Sequence, residues 1–217
     1  CIVDLPRSLE SITVGLGWDT DKGKVDLDVS AVLLDSSGGD VDTVFFGKLE
    51  SMEHGIKHGG DNLTGEGGGD DEQVVVNLGS VGAQVSQVVF VVNIYSKDCS
   101  FSQVANPYCR VVDNATQQEL CKYALADAGS LNALLVAKIA REAGGRWGFH
   151  ALGQPGRGTM WKDTLPDIRR ICLQDTRLLR DGDAGSYSNA PPANFVAGPG
   201  QAREAGETAP CGPCALM

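Results

Sequence analysis

Short runs of β-branched and aromatic residues, separated by clusters of glycine, serine, asparagine and aspartate, set the rhythm of the chain. Residues 11–18 (SITVGLGW) alternate polar and branched side chains and predict a strand that ends among glycines. A turn follows over 19–24 (DTDKGK), and 25–34 (VDLDVSAVLL) predicts a second strand. On that strand Asp26 and Asp28 share one face, with Val25, Leu27 and Val29 on the other. Two aspartates at i and i+2 on one strand face repel unless a cation or solvent separates them. Residues 43–46 (TVFF) predict a short strand after a Ser-Ser-Gly-Gly turn, and 72–78 (EQVVVNL) and 85–95 (VSQVVFVVNIY) two more, the latter buried on both faces. Residues 107–113 and 119–125 predict a hairpin across Asn-Ala-Thr-Gln. The run 133–141 (ALLVAKIAR) has helical propensity, but the Gly144-Gly145 turn and the RWGFHAL after it favour a strand hairpin. Short strands with turn signals throughout predict an all-β fold, a β-sandwich of mainly antiparallel strands over residues 1–154. From Gln154 the character changes. Residues 155–180 read as a linker and a short amphipathic helix (161–179), and 181–217, rich in Gly, Pro, Ala and Ser, as a disordered tail.

One stretch fits neither strand nor helix. His58 to Glu72 (HGGDNLTGEGGGDDE) holds six glycines, five carboxylates and almost nothing apolar, yet lies between two structured regions. Something other than a hydrophobic core must order it, and hard oxygen ligands on a glycine-permissive backbone suit Ca²⁺. Charge points to the same place. Of 28 Asp/Glu and 18 Lys/Arg, 14 acids and 4 bases fall between Asp19 and Glu72, so that quarter of the chain carries the whole net charge of −10. A concentrated anionic patch attracts cations and repels phosphate backbones, which excludes direct nucleic-acid binding as the expected role. No apolar run approaches the roughly 20 residues of a transmembrane helix. Seven cysteines at irregular spacing are no disulfide framework and predict a reducing, cytoplasmic setting.

A set of blocks in fixed order now becomes informative: Gly15-Leu16-Gly17-Trp18-Asp19, Asp26-Leu27-Asp28-Val29-Ser30-Ala31, His58 through Gly67, and Asp70-Asp71-Glu72. Val88 through Ile94, Phe101-Ser102-Gln103-Val104, Arg110-Val111-Val112-Asp113, Trp147-Gly148-Phe149 and Ala151-Leu152-Gly153-Gln154 complete it. Over residues 11–154 the chain resembles the TerD (tellurium-resistance) family of calcium-binding stress proteins. The resemblance implies a β-sandwich without catalytic activity that holds one or two Ca²⁺ ions between the acidic loop and the Asp-Leu-Asp strand. By position, Asp19, Asp26, Asp28, Asp61, Asn62, Glu66, Asp70, Asp71 and Glu72 match the family's acidic signature. Bound Ca²⁺ would order the loop and reverse the sign of the patch, creating a surface for a protein partner or anionic lipid headgroups. Two departures stand out. Gly65-Glu66-Gly67-Gly68-Gly69 replaces a Gly-Glu-Gly-Asp-Gly common in the family, and the segment before Ser11 is short, so a first strand is expected to be truncated or absent.

Other motifs lead less far. An EF-hand tried on the loop fails, because Leu63 and Gly65 stand at ligand positions 3 and 5 and the flanks are not helical. A phosphate-binding P-loop fails for want of Gly-Lys-Ser/Thr. His54 and His58 have a zinc-like interval, but the glycines around them argue against the helix it needs. A metal-dependent phosphoester hydrolase could use the same carboxylates, but no phosphate-binding Arg/Lys cluster lies within the signature. A scaffold that has lost metal binding rests on Gly68. Cys214-Ala215-Leu216-Met217 fits a prenylation box, with Cys211 as a second acylation candidate, which would attach the protein to a membrane through its tail.

Overall fold

The computed structural model of the chain describes residues 2–4, 9–19, 25–62, 68–96, 98–125, 130–180 and 195–197. Among the described residues thirteen strands and one α-helix run in the order β1 (Ile2–Asp4), β2 (Ser11–Asp19), β3 (Leu27–Leu34), β4 (Asp40–Val44), β5 (Glu50–Ser51), β6 (Ile56–His58) and β7 (Glu72–Asn77). They continue with β8 (Gln87–Ile94), β9 (Ala105–Asp113), β10 (Glu119–Ala124), β11 (Ala133–Arg141), β12 (Trp147–Gly156), α1 (Trp161–Arg180) and β13 (Phe195–Ala197). The strands form two antiparallel sheets, a six-stranded one ordered β1-β12-β11-β8-β3-β4 and a seven-stranded one ordered β13-β10-β9-β2-β7-β6-β5.

Alternation along each strand builds the sandwich. Ile12, Val14 and Leu16 of β2, Val74 and Val76 of β7, and Cys109 and Val111 of β9 meet Leu27, Val29, Ala31 and Leu33 of β3 and Val88, Phe90, Val92 and Ile94 of β8 in one continuous core. The other face of the six-stranded sheet is covered as well. Val32 and Leu34 of β3, Val89 and Val91 of β8 and Leu135 of β11 pack with Trp161, Ile168 and Cys172 of α1 in a second, smaller core. The helix thus makes a third layer rather than hanging from a linker, and this is why all eight residues of β3 and of β8 are buried.

Several predicted strands differ from the observed ones by one to three residues at their ends, and the short pieces β1, β5 and β6 had no recognisable pattern. β1 is a strand of three residues, Ile2, Val3 and Asp4, standing opposite His150, Phe149 and Gly148. The ambiguous run 133–141 is a strand with a bulge between Leu135 and Ala137 in its pairing with both neighbours. The bulge sends Val136 and Ala137 to the same side, into the sandwich core, so the run loses the period of two that marks a strand. Within 181–217 the described residues are Phe195–Ala197, which pair with β10; the rest of that tail, including Cys211 and Cys214, and the turn at 20–24 lie outside the described residues. No helix among the described residues is long and apolar enough to cross a membrane.

Candidate metal centre

The site grows from an unfinished sheet edge. β4 pairs with β3 only from Ala31 onward, so the stretch Leu27–Val29 has a neighbour, β8, on one side only. Two side chains from the opposite sheet stand in for the missing strand. Glu72, at the start of β7, accepts the Val29 amide through Oε2 at 2.8 Å, and His58 Nε2, from the end of β6, lies 3.1 Å from the Val29 carbonyl. Both side chains are fully buried, and they approach each other to 3.5 Å. His58 Nδ1 accepts the Gly60 amide at 3.1 Å, which leaves the proton on Nε2 for the Val29 carbonyl. Burying backbone N–H and C=O groups unpaired is costly, so this pair of contacts explains why a Glu and a His lie inside a β-sandwich.

Next to this closure three carboxylates converge. Asp26, Asp28 and Asp61 each offer one oxygen, all within 4.8 Å of one another. Asp28 is 5% exposed, Asp26 half-buried and Asp61 exposed, so the group descends from beneath the α1 side of the sheet to the surface. Asp26 Oδ1 and Asp28 Oδ2 are buried and have no hydrogen-bond partner. Burial first, then the charges of Asp26, Glu72 and Asp61, pushes the Asp28 carboxyl up from 3.8 to about 8. Burial, then Asp61 and Glu72, raises Asp26 to about 6. Among the described residues no lysine or arginine is paired with any of the three. Orphaned buried carboxylate oxygens carry a desolvation penalty that a cation would relieve, and an all-oxygen donor set suits a hard divalent ion over a thiol- or imidazole-seeking one.

The loop ends are tied to this cluster. The Asn62 amide donates to Glu72 Oε1 at 3.3 Å, and Asn62 Nδ2 to Asp71 Oδ1 at 3.2 Å. Asp71 Oδ2 in turn accepts the Trp18 amide at 2.9 Å, while the Asp71 amide donates to the Leu16 carbonyl. Burial, with the nearby charges of Asp19 and Asp70, raises the Asp71 carboxyl, and the Trp18 amide opposes that rise. Asp19 is exposed and accepts Asn106 Nδ2 at 2.9 Å.

Asp70 is held differently. Arg110 grips it at two points, Nε to Oδ1 at 2.7 Å and Nη2 to Oδ2 at 3.0 Å; Gln73 Nε2 donates to Oδ2 at 3.1 Å, and the single proton of Tyr108 Oη lies between the Gly69 carbonyl at 2.6 Å and Asp70 Oδ1 at 3.1 Å. The glycines of β2 make room for this seat. A Cβ on Gly15 would come within 2.2 Å of the Asp70 carboxylate, and one on Gly17 within 2.4 Å of the Tyr108 ring. The sequence-derived set therefore divides: Asp26, Asp28 and Asp61 converge, Asn62, Asp71 and Glu72 brace them, Asp19 sits at the rim and Asp70 is an anchor on the outer face. Glu66 lies outside the described residues. The zinc-like pair separates as well, His54 Nδ1 accepting the Gly82 amide while His58 closes the β3 edge. Sequence reasoning missed the roles of His58, Tyr108 and Arg110; the Gly-x-Gly of β2, which exists to admit Asp70 and Tyr108, was the one local sign of them.

Comparison with known proteins agrees with the blocks that carried the resemblance. The TerD domain family model matches residues 3–162. The chain is 42% identical over 173 residues to tellurium resistance protein TerZ of Serratia marcescens, covering 74% of this chain and 88% of that one. It is 38% identical over 169 residues to general stress protein 16U of Bacillus subtilis, covering 72% and 88%. The crystal structure of a TerD homologue from Streptomyces coelicolor shares the fold with a TM-score of 0.63 at 24% identity, over 71% of this chain and 95% of that one. A sandwich whose loop carboxylates meet the Asp-Leu-Asp strand, with a family match spanning both sheets, makes this chain a member of the TerD domain family.

Proposed function

We propose that the chain is a non-catalytic Ca²⁺-binding module of a stress response, with Asp26, Asp28 and Asp61 as the core of the ion site and Asn62, Asp71 and Glu72 holding the loop against it. The observation that carries this reading is the pair of buried oxygens, Asp26 Oδ1 and Asp28 Oδ2, that have no hydrogen-bond partner where the three carboxylates converge. Ca²⁺ accepts six to eight oxygens in a flexible geometry, which suits a set drawn from one strand and one glycine-rich loop. Binding would neutralise mutually repelling carboxylates and draw Asp61 toward the Asp26–Asp28 pair. The stress role draws on the relatives, which are named for tellurium resistance and general stress. A partner, protein or anionic lipid, would then read the loop in its loaded form. For phosphoester hydrolysis the site would need a free cationic group for phosphate, and Arg110, which reaches the loop's end, is committed to Asp70 and lies near Glu119.

Calorimetric titration of the EDTA-treated protein with Ca²⁺, with Mg²⁺ as control, tests the reading. Selective Ca²⁺ binding lost in Asp28→Asn is the expected result. Absence of any heat from Ca²⁺ in the wild type would refute it, as would full affinity in Asp28→Asn.

A further inference from the structure

Directly across the ladder from Asp28 stands Asn93 of β8. Cross-strand partners place their side chains on the same sheet face with Cβ atoms roughly 5 Å apart. Here that face is the one beneath α1, since the neighbouring Val91 and Val32 pack against the helix. Asn93 is 1% exposed. Its Nδ2 donates twice, to the Gly158 carbonyl and to Thr164 Oγ1, each at 2.9 Å. The Gly158 carbonyl can only accept, so it fixes the amide with nitrogen toward the helix start and oxygen away from it. The oxygen so oriented, Asn93 Oδ1, has no hydrogen-bond partner. Among the described residues the buried side-chain oxygens left without partners are thus Asp26 Oδ1, Asp28 Oδ2 and Asn93 Oδ1, and they come from the start of β3, the residue just before it and the residue opposite on β8. The remaining unpartnered buried atom, Trp161 Nε1 on α1, is a donor and makes no hydrogen bond to any of the three, and buried acceptors left without partners on neighbouring positions are stabilised by a cation.

We infer that Asn93 Oδ1 is a neutral ligand of the same ion, supplied by the six-stranded sheet and joining the ion to the start of α1; this rests on the Ca²⁺ reading of the Asp26–Asp28–Asp61 cluster. A neutral carbonyl oxygen adds to the coordination number without adding to the repulsion that three carboxylates already bring, and side-chain amide oxygens are ordinary Ca²⁺ ligands. The two donated hydrogen bonds make the oxygen rigid before the ion arrives, so little entropy is lost on binding. The acidic signature alone does not reveal this residue, because Asn93 lies within an apolar strand and carries no charge.

The test compares Ca²⁺ titrations of the wild type, Asn93→Ala and Thr164→Val, with Eu³⁺ luminescence lifetimes in H₂O and D₂O to count waters on a bound lanthanide. Asn93→Ala should weaken Ca²⁺ binding on the order of tenfold or more and add about one water to bound Eu³⁺. Thr164→Val, which removes a contact to the amide nitrogen but keeps the oxygen, should alter affinity far less and leave the water count unchanged. Wild-type affinity and an unchanged water count in Asn93→Ala would overturn the inference and leave the Ca²⁺ reading standing. Failure of the wild type to bind Ca²⁺ would remove both. Should Asn93→Ala not fold, the Asn93 side-chain amide resonances of the wild type decide: movement in step with Ca²⁺ occupancy supports the inference, and signals unmoved at saturation refute it.

Discussion

Arg110 holds Asp70 by two parallel hydrogen bonds across forty positions of sequence, with the Asp70 side chain 1% exposed and the Arg110 side chain one-third exposed. This geometry makes Asp70 a fastening for the end of the acidic loop. Arg110→Ala would leave a buried carboxylate with only Tyr108 and Gln73 as donors, and should cost about 1.5–3 kcal/mol. The loss should be of similar size with EDTA and with Ca²⁺, because the ion does not replace this contact. Urea unfolding in both conditions checks it; a loss confined to the Ca²⁺-loaded protein would instead make Asp70 part of the ion site.

The ion-free protein should become less stable as pH rises. Asp28 titrates at about 8 in the folded state and at 3.8 ordinarily, and Asp26 at about 6. Between roughly pH 4 and 8 the folded state therefore keeps protons that the unfolded chain has released, and linkage makes stability fall through that window. The contribution is complete below pH 4 and gone above pH 8. Ca²⁺ competes with those protons, so its affinity should rise over the same range and its stabilising effect should be greatest near pH 8. Thermal midpoints should fall from pH 5 to pH 8 with EDTA and stay nearly level with saturating Ca²⁺; an ion-free midpoint that climbs with pH between those values would contradict the buried carboxylate pair.

Asp28→Asn separates binding from folding. The change keeps shape but removes the charge that nothing in the ion-free site neutralises. At pH 8 without Ca²⁺ the variant should be more stable than the wild type by roughly 1 kcal/mol, while losing the stabilisation that Ca²⁺ gives. Denaturation midpoints of the two proteins at matched pH test this directly, and a variant weaker than the wild type in EDTA would sink it.

Gly15→Ala probes the seat of Asp70. The added methyl meets the carboxylate at 2.2 Å, and Asp70 cannot swing away without releasing Arg110. Overpacking of this kind should cost about 1–3 kcal/mol and should be largely non-additive with Arg110→Ala, since both break the same contact. A double-mutant cycle on unfolding free energies reads the coupling; full additivity would mean that the glycine serves something other than Asp70.

The strands were legible where side-chain chemistry alternates, as in β2 and β7, and where a continuous branched run marked burial on both faces, as in β8. They were illegible where pairing rests on two or three residues, as in β5 and β6, which carry too few positions for any period to show. β11 sits between these cases, its bulge erasing the alternation. At the site, Asp26 and Asp28 were visible because two carboxylates on one strand face demand an explanation. What the sequence hid was partnership: Asp70 and Asp71 are adjacent and chemically equal, yet one faces Arg110 and the other the Trp18 amide. Only the folding of β9 alongside β2 brings Arg110 near, and the Gly-x-Gly that makes room for Asp70 and Tyr108 is its one local trace.

Gly68 stands where the family resemblance leads one to expect an aspartate, and the structure shows what restoring it would meet. Among the described residues nothing lies within 4 Å of a Cβ built on Gly68, which is exposed. Gly68→Asp should therefore leave stability within about 0.5 kcal/mol, as expected for an exposed substitution. Its carboxylate would stand two residues from Asp70 at the end of the loop, adding a negative charge to the acidic face and so raising Ca²⁺ affinity, more at low salt than at high. A change that adds a true ligand would do more: it would alter the number of ions bound and lower the water count on Eu³⁺. Titrations of wild type and variant at two ionic strengths distinguish these outcomes. A salt-insensitive gain with a second ion would make residue 68 a ligand position vacated in this chain, a salt-sensitive gain at constant stoichiometry would make it a source of field alone, and unchanged affinity at both salts would place the ion site out of reach of this arm of the loop.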